Sequence, residues 1–359
     1  MACLAHAILL VMLASTKKIH ANLRRIGQSL GFTVTDEVDD SLLRVRLDEG
    51  YRPRIDQMWS LALTEEQREA LAIVLDHKLD DVGYLPIVGI EVEGTQPSTK
   101  TMGADVANLA ALGAPLGLLV VSEAGERNIY RRAARAIRAA RRSFGDLRIV
   151  PAEASWFEDL SRRRWPSGLS SIPKPRNAAP AGGEKLKWAV ETRDKIRKLG
   201  AGAGFVVAEP YTPGVLDATY ELARQRGEMK HTVDPRHSIR RAISKSGEYL
   251  TECLIDMAWL MPLPAGLRAF LGELDRLDPS LREHGLLFSE QWDYCAVAVF
   301  ELESGTGKHA GGGLLNLAAY GVIGAVLTRT DDARLAMQHT LRTYQPTLGL
   351  RNVFVKEMP

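Results

Sequence analysis

The chain has 359 residues, 45% of them apolar and 25% charged, the make-up of a globular protein with a large core and about two domains. Lys and Arg number 46 against 44 Asp and Glu, a formal charge of +2, which excludes a uniformly basic nucleic-acid coat and an acidic disordered chain. The three cysteines, Cys3, Cys253 and Cys295, form no CxxC pair; a cysteine zinc knuckle is excluded, a disulfide framework is disfavoured, and a reducing cytoplasm is the default location.

Residues 2–14 form an apolar run that imitates a signal-peptide core. No Lys or Arg precedes it, and about 13 residues are too few to span a bilayer. It reads as a buried or oligomer-facing first helix, and no membrane partner is expected. Residues 17–30 have helical spacing, with Ile19, Leu23, Ile26 and Leu30 on one face, and Gly31 then opens a β-rich run over 32–35. Residues 54–63 and 85–92 read as strands. A helix between them starts after Thr64, with Glu66 and Gln67 in its first turn. There follow a helix over 100–112, a buried strand over 116–121, a helix over 127–144 and a strand over 147–150. Residues 151–187 carry five prolines and the run Arg162, Arg163, Arg164, and read as a linker.

The second half repeats the first. Leu23-Arg-Arg-Ile-Gly-Gln-Ser-Leu-Gly-Phe-Thr-Val34 is similar to Ile196-Arg-Lys-Leu-Gly-Ala-Gly-Ala-Gly-Phe-Val-Val207, and Ile55-Asp-Gln-Met-Trp59 to Ile255-Asp-Met-Ala-Trp259. Ile90-Glu-Val-Glu-Gly94 is similar to Phe300-Glu-Leu-Glu-Ser304, each followed within eight residues by Lys100 or Lys308. Gly103-Ala-Asp-Val-Ala-Asn-Leu-Ala-Ala-Leu-Gly113 is similar to Gly311-Gly-Gly-Leu-Leu-Asn-Leu-Ala-Ala-Tyr-Gly321. Four collinear blocks imply duplication of a whole domain. The second copy then predicts elements over 186–199, 204–207, 253–260, 295–302, 308–320, 324–327, 332–344 and 350–355. The expected architecture is α/β: two tandem mixed sheets flanked by helices, with domains at 1–150 and 188–359 and the linker at 151–187.

Glu91 and Glu93 interrupt an apolar strand and, two residues apart, point to the same face. Asp56 begins inside a second apolar strand. Carboxylates crowded beside a buried run are costly unless protons or a cation relieve them, and a hard divalent ion held by oxygen ligands would do so. The recurrence of the set as Asp256, Glu301 and Glu303 favours a metal site over solvated strand ends. Asn108 and Asn316, on the following helix, are either ligand-orienting or packing amides.

Asp56 on one strand, Glu91-x-Glu93 on the next, a nearby lysine and then a helix with Asn108 resemble the PD-(D/E)xK, restriction-endonuclease-like nucleases in their ExE variant. The resemblance covers residues 17–150 and 186–356, and the helix, three strands, helix, strand order matches that family's core. Two departures stand out: no proline directly precedes Asp56 or Asp256, and Glu93 or Glu303 replaces the usual lysine. The resemblance implies hydrolysis of phosphodiester bonds with Mg²⁺, or Mn²⁺, held by Asp56 and Glu91. Glu93 would bind the ion or position the attacking water, and Lys100 would reach the scissile phosphate. Asp256, Glu301, Glu303 and Lys308 would take the same roles in the second copy.

Charge is unevenly spread. The segment 127–142 carries seven arginines and no acid, so with +2 on the whole chain the remainder sums to −5. Arg131, Arg135, Arg138 and Arg142 share a helical face, as a phosphate backbone requires. Residues 230–241 and Arg162 to Arg164 are weaker basic candidates. A P-loop reading of 301–309 fails, because Leu302 and His309 stand where glycine and Ser/Thr are needed. His231 and His237, six apart, lack zinc-pair spacing. The resulting expectation is a restriction or defence endonuclease cutting double-stranded DNA, a pseudo-dimer in one chain or a homo-oligomer. The alternative is a nucleic-acid-binding or assembly protein whose nuclease folds are wholly or partly inactive.

Overall fold

A computed structural model of the chain describes residues 2–38, 54–75, 83–94, 99–121, 127–144, 149–172, 187–209, 229–232, 241–244, 249–251, 255–278, 292–303, 313–314, 317–318, 321–348 and 352–358. The first copy runs α1 (Ala2–Leu30), β1 (Thr33–Val38), β2 (Ile55–Ala62), α2 (Glu65–Leu75), β3 (Tyr84–Glu93), α3 (Thr99–Leu112), β4 (Leu116–Val121), α4 (Arg127–Phe144), β5 (Ile149–Glu153) and α5 (Ala154–Leu160). The second runs α6 (Lys187–Gly202), β6 (Val206–Ala208), β7 (Met229–Thr232), β8 (Arg241–Ser244), β9 (Tyr249–Thr251), β10 (Met257–Pro262), α7 (Ala265–Leu277), β11 (Tyr294–Glu303), β12 (Ile323–Thr328), α8 (Asp331–Leu348) and β13 (Val353–Glu357).

The two halves build sheets of one topology. The first has order β1-β2-β3-β4-β5, antiparallel through β1, β2 and β3 and parallel from β3 to β5. The second has order β13-β12-β11-β10-β6 with the same pairing senses, and β7, β8 and β9 form a separate three-stranded sheet. Each copy has a register shift at its tryptophan, between Trp59 and Ser60 and between Trp259 and Leu260. Both first helices end alike: the amides of Phe32 and Phe205 bond back to Gly27 and Gly200 at 3.0 Å, and Gly31 and Gly204 take the left-handed φ this turn needs.

Duplication is also visible in the packing. Phe32 stacks on Trp59 with ring centres 6.0 Å apart, and Phe205 on Trp259 at 5.3 Å. A methyl at Gly27 or Gly200 would drive into the indole of Trp59 or Trp259, at 2.7 Å and 2.3 Å, so glycine is required where this helix crosses its sheet. The copies diverge beneath the indole. Trp59 Nε1 donates to Gln57 Oε1 at 3.1 Å, whereas Met257 stands in the Gln57 position and Trp259 Nε1 is buried without a partner.

The chain divides into two compact units, and neither coincides with a half. Unit 1 comprises residues 1–63, 82–169 and 264–286; unit 2 comprises 64–81, 170–263 and 287–359. Within unit 1, α3 and α4 cover one face of the sheet through Met58, Val106, Leu109, Leu119 and Ile137. Helices α1, α5 and α7 pack on the other. Phe270 of α7 reaches Trp59, Phe157 and Trp165, with ring centres 5.6, 6.5 and 5.7 Å apart. Unit 2 in turn takes α2, which packs against α6 and β13. The helix that follows the second sheet strand is thus exchanged between the copies, and the expected boundaries at 1–150 and 188–359 do not describe the packed units.

The linker expected at 151–187 is also corrected at its start. Residues 151–153 complete β5, and 154–160 form α5, whose Phe157 and Leu160 are buried; the apolar spacing outweighs the surrounding prolines and arginines. Of the three arginines beyond it, Arg162 pairs with Glu158 at 2.9 Å and Arg163 with Glu273 at 2.5 Å. Residues 173–186 lie outside the described residues. The first helix is longer than the periodicity predicts, reaching back to Ala2, and among the described residues no helix is long and apolar enough to cross a membrane.

Candidate metal centre

Strand pairing brings the first acids together. Gln57 lies opposite Ile90, so one step on Asp56 lies opposite Glu91. The Asp56 amide donates to Glu91 Oε2 at 3.4 Å, and Asp56 Oδ2 accepts from the Val92 amide at 2.7 Å. Asn108, from α3, donates its side-chain Nδ2 to Glu91 Oε1 at 3.1 Å and to the Arg54 carbonyl at 3.1 Å. The amide therefore ties α3 to both strands. The acids sit at the carboxyl end of β3, the edge where open α/β sheets bind ligands.

A fourth carboxylate completes the group. Asp105, one turn into α3, faces Glu93, and its Oδ2 is buried without a hydrogen-bond partner. Burial, and then the charge of Asp56, push the Glu91 carboxyl up to about 8. Burial, then a hydrogen bond with Asp105, push Glu93 up to about 9. Asp105 is raised as well, chiefly by burial. None of Asp56, Glu91, Glu93 and Asp105 makes an ion pair with a described Lys, Arg or His. Lys100 stands exposed at the start of α3.

Residues held in common by the two copies do not include Asp105, because Gly313 stands at the matching position of the second copy, and the sequence comparison passes over it. The signal available was the spacing itself, an acid one helical turn before Asn108 on a helix following the acidic strand.

These donors suit a divalent cation: all are hard carboxylate oxygens, and the orphaned Asp105 oxygen is an acceptor awaiting a positive partner. Their present spacing does not enclose one, and among the described residues no three His, Cys, Asp or Glu side chains converge as a ready-made set. Mg²⁺ does not require such a set, since it commonly keeps several waters and takes one or two carboxylates. Asp56 and Glu91 can supply those two.

The second copy repeats the frame. Met257 lies opposite Phe300, so Asp256 falls opposite Glu301, and Asp256 Oδ2 accepts from the Leu302 amide at 2.9 Å. Burial, then the neighbouring Asp256 charge, raise Glu301 to about 9. Here Arg193 of α6 bonds to Asp256 Oδ1 and lies 4.0 Å from Glu209. Glu303 is half-buried at the end of β11; Lys308 and Asn316 lie outside the described residues.

The basic stripe lies on α4. Ile129, Ala133, Ala134 and Ile137 are buried, while Arg131, Arg135 and Arg138 are exposed and make no ion pair with a described residue. The side chain of Arg142 lies outside the described residues, as do those between 230 and 241. No protein-family model, no curated protein and no solved structure matches the chain.

Proposed function

We propose that the chain is a divalent-metal-dependent endonuclease of double-stranded DNA, of the PD-(D/E)xK kind and of restriction or defence type. The observation that carries this reading is the group Asp56, Glu91, Glu93 and Asp105. These are four oxygen-donor side chains at one sheet edge, with no described cation paired to them. The exposed Arg131, Arg135 and Arg138, in the same unit, supply the phosphate-binding face such an enzyme needs.

Asp56 and Glu91 would hold the ion, with the Val92 amide and Asn108 fixing the two carboxylates. There Mg²⁺ or Mn²⁺, when bound, would supply an acidified water and offset charge building on the phosphorus centre. Glu93, sharing a proton with Asp105, accepts a hydrogen bond from the attacking water and orients it. Lys100 contacts the scissile phosphate and offsets its charge.

Plasmid digestion in Mg²⁺ tests the reading. Cleavage should vanish in EDTA and fall by roughly a hundredfold or more in Glu91→Ala. Unchanged cleavage by that variant would overturn it.

A further inference from the structure

We infer that the second copy of the site takes no divalent ion, because the guanidinium of Arg193 occupies the role of that ion beside Asp256. The inference rests on the metal reading of the first copy and sets a limit on it: one ion per chain, bound in unit 1.

The two copies differ at two positions around an otherwise common frame. The frame is shared, with an aspartate opposite a glutamate across the central strand pair and an amide from the next residue fixing the aspartate. The alignment of Leu23 with Ile196 places Arg193 at the position of His20, and that of Gly103 with Gly311 places Gly313 at the position of Asp105. Geometry agrees in part with the second match: a methyl on Gly313 would lie 3.9 Å from Glu301 Cγ, so this position also faces the acidic strand, although beside the counterpart of Glu91 rather than of Glu93. Two exchanges, one adding a positive charge and one removing a negative charge, act in the same direction.

The first copy gathers four carboxylates with no described cation. The second gathers three, Asp256, Glu301 and Glu303, with an arginine already bonded to Asp256. A guanidinium keeps its charge at every working pH and matches a carboxylate through its planar fork. The Arg193 side chain is only 26% exposed; Glu209 lies 4.0 Å from its Nε without a hydrogen bond and pairs instead with Arg197 at 3.0 Å. An incoming Mg²⁺ would have to displace a fixed cation from its own ligand and leave that cation half-buried and unpaired, which is strongly unfavourable. A single metal site implies that the chain cuts one strand per encounter, so a supercoiled plasmid should first accumulate as the nicked circle.

Calorimetric titration of the metal-free full-length chain with Mn²⁺ decides the matter. The expected result is one ion per chain, lost in Glu91→Gln and retained in Glu301→Gln. Arg193→Gln should gain a second ion that Glu301→Gln then removes. Two ions on the unaltered chain, one of them lost in Glu301→Gln, would overturn the inference and leave the metal reading of unit 1 intact. No ion on the unaltered chain would overturn that metal reading; an ion gained by Arg193→Gln would still support the role of the guanidinium. An Arg193→Gln chain that folds with its circular dichroism unchanged and gains no ion overturns that role. Stoichiometry of the unaltered and Glu301→Gln chains distinguishes one ion from two even where Arg193→Gln does not fold.

Discussion

Glu91 and Glu93 hold protons that ordinary carboxyls release, and this sets how the protein responds to pH. Burial and neighbouring acids raise both, and burial raises Glu301 in the other copy. Above the unshifted value of 4.5, the unfolded chain gives up these protons while the folded, metal-free chain keeps them. Stability is therefore full below about 4.5 and falls as pH rises through about 8 to 9, by at most about 1.4 kcal/mol per pH unit for each group. Thermal melts in EDTA should show a lower midpoint at pH 8 than at pH 5. Mn²⁺ should restore the part due to unit 1, and the Glu91→Gln, Glu93→Gln double variant should flatten that same part. An EDTA midpoint that does not change between pH 5 and pH 8 would refute the proton-sharing description of the cluster. At this scale the sequence was informative where the copies agree, because Asp56, Glu91 and Glu93 each have a twin. It was silent on Asp105 and Arg193, whose significance lies in having no twin.

Helix α4 shows how a segment can bury one face and leave a strongly charged one outward. Ile129, Ala133 and Ile137 supply the apolar stripe, and Arg131, Arg135 and Arg138 face solvent, where their charge stays hydrated, while Arg132 is half-buried. This element was legible almost residue by residue, since the periodicity of 127–144 and the charge pattern report the same helix. If the stripe binds phosphates, Arg131→Glu with Arg135→Glu should weaken binding to any duplex about equally. The logarithmic salt slope should become shallower by about one for each phosphate no longer neutralised. Fluorescence anisotropy with two unrelated duplexes between about 50 and 200 mM salt measures both. A slope that stays the same would remove α4 from the interface. Helix α5 was hidden from the same kind of reading: five prolines and three arginines dominate the segment, while the burial of Phe157 and Leu160 depends on a surface that only the assembled unit provides.

The exchange of α2 and α7 belongs to the whole molecule. Local pattern identifies α2 as a helix after a strand, no element was expected over 265–277, and nothing local states which sheet either helix will cover; the repeat suggested two self-contained halves. Phe270 makes the point testable. It is fully buried against Trp59, Phe157 and Trp165, although these three lie in the other half of the sequence. Phe270→Ala should cost about 3–5 kcal/mol, and hydrogen exchange should report the loss in α1 and β2 before β11 and β12. Protection lost first in β11 and β12 would mean that α7 belongs with its own half.

The exchanged helix also bears on how the protein is made. Unit 1 contains the chain from its first residues, yet its last helix is α7, so the ribosome must add about 100 further residues after α5 before that unit can close. At about 5–20 residues per second the delay is roughly 5–20 s, during which the Trp59 face waits without its cover. Both units therefore depend on residues of the second half, and a chain ending between the copies would complete neither. If the proposed nuclease activity depends on unit 1, that coupling withholds it until α7 has been synthesised.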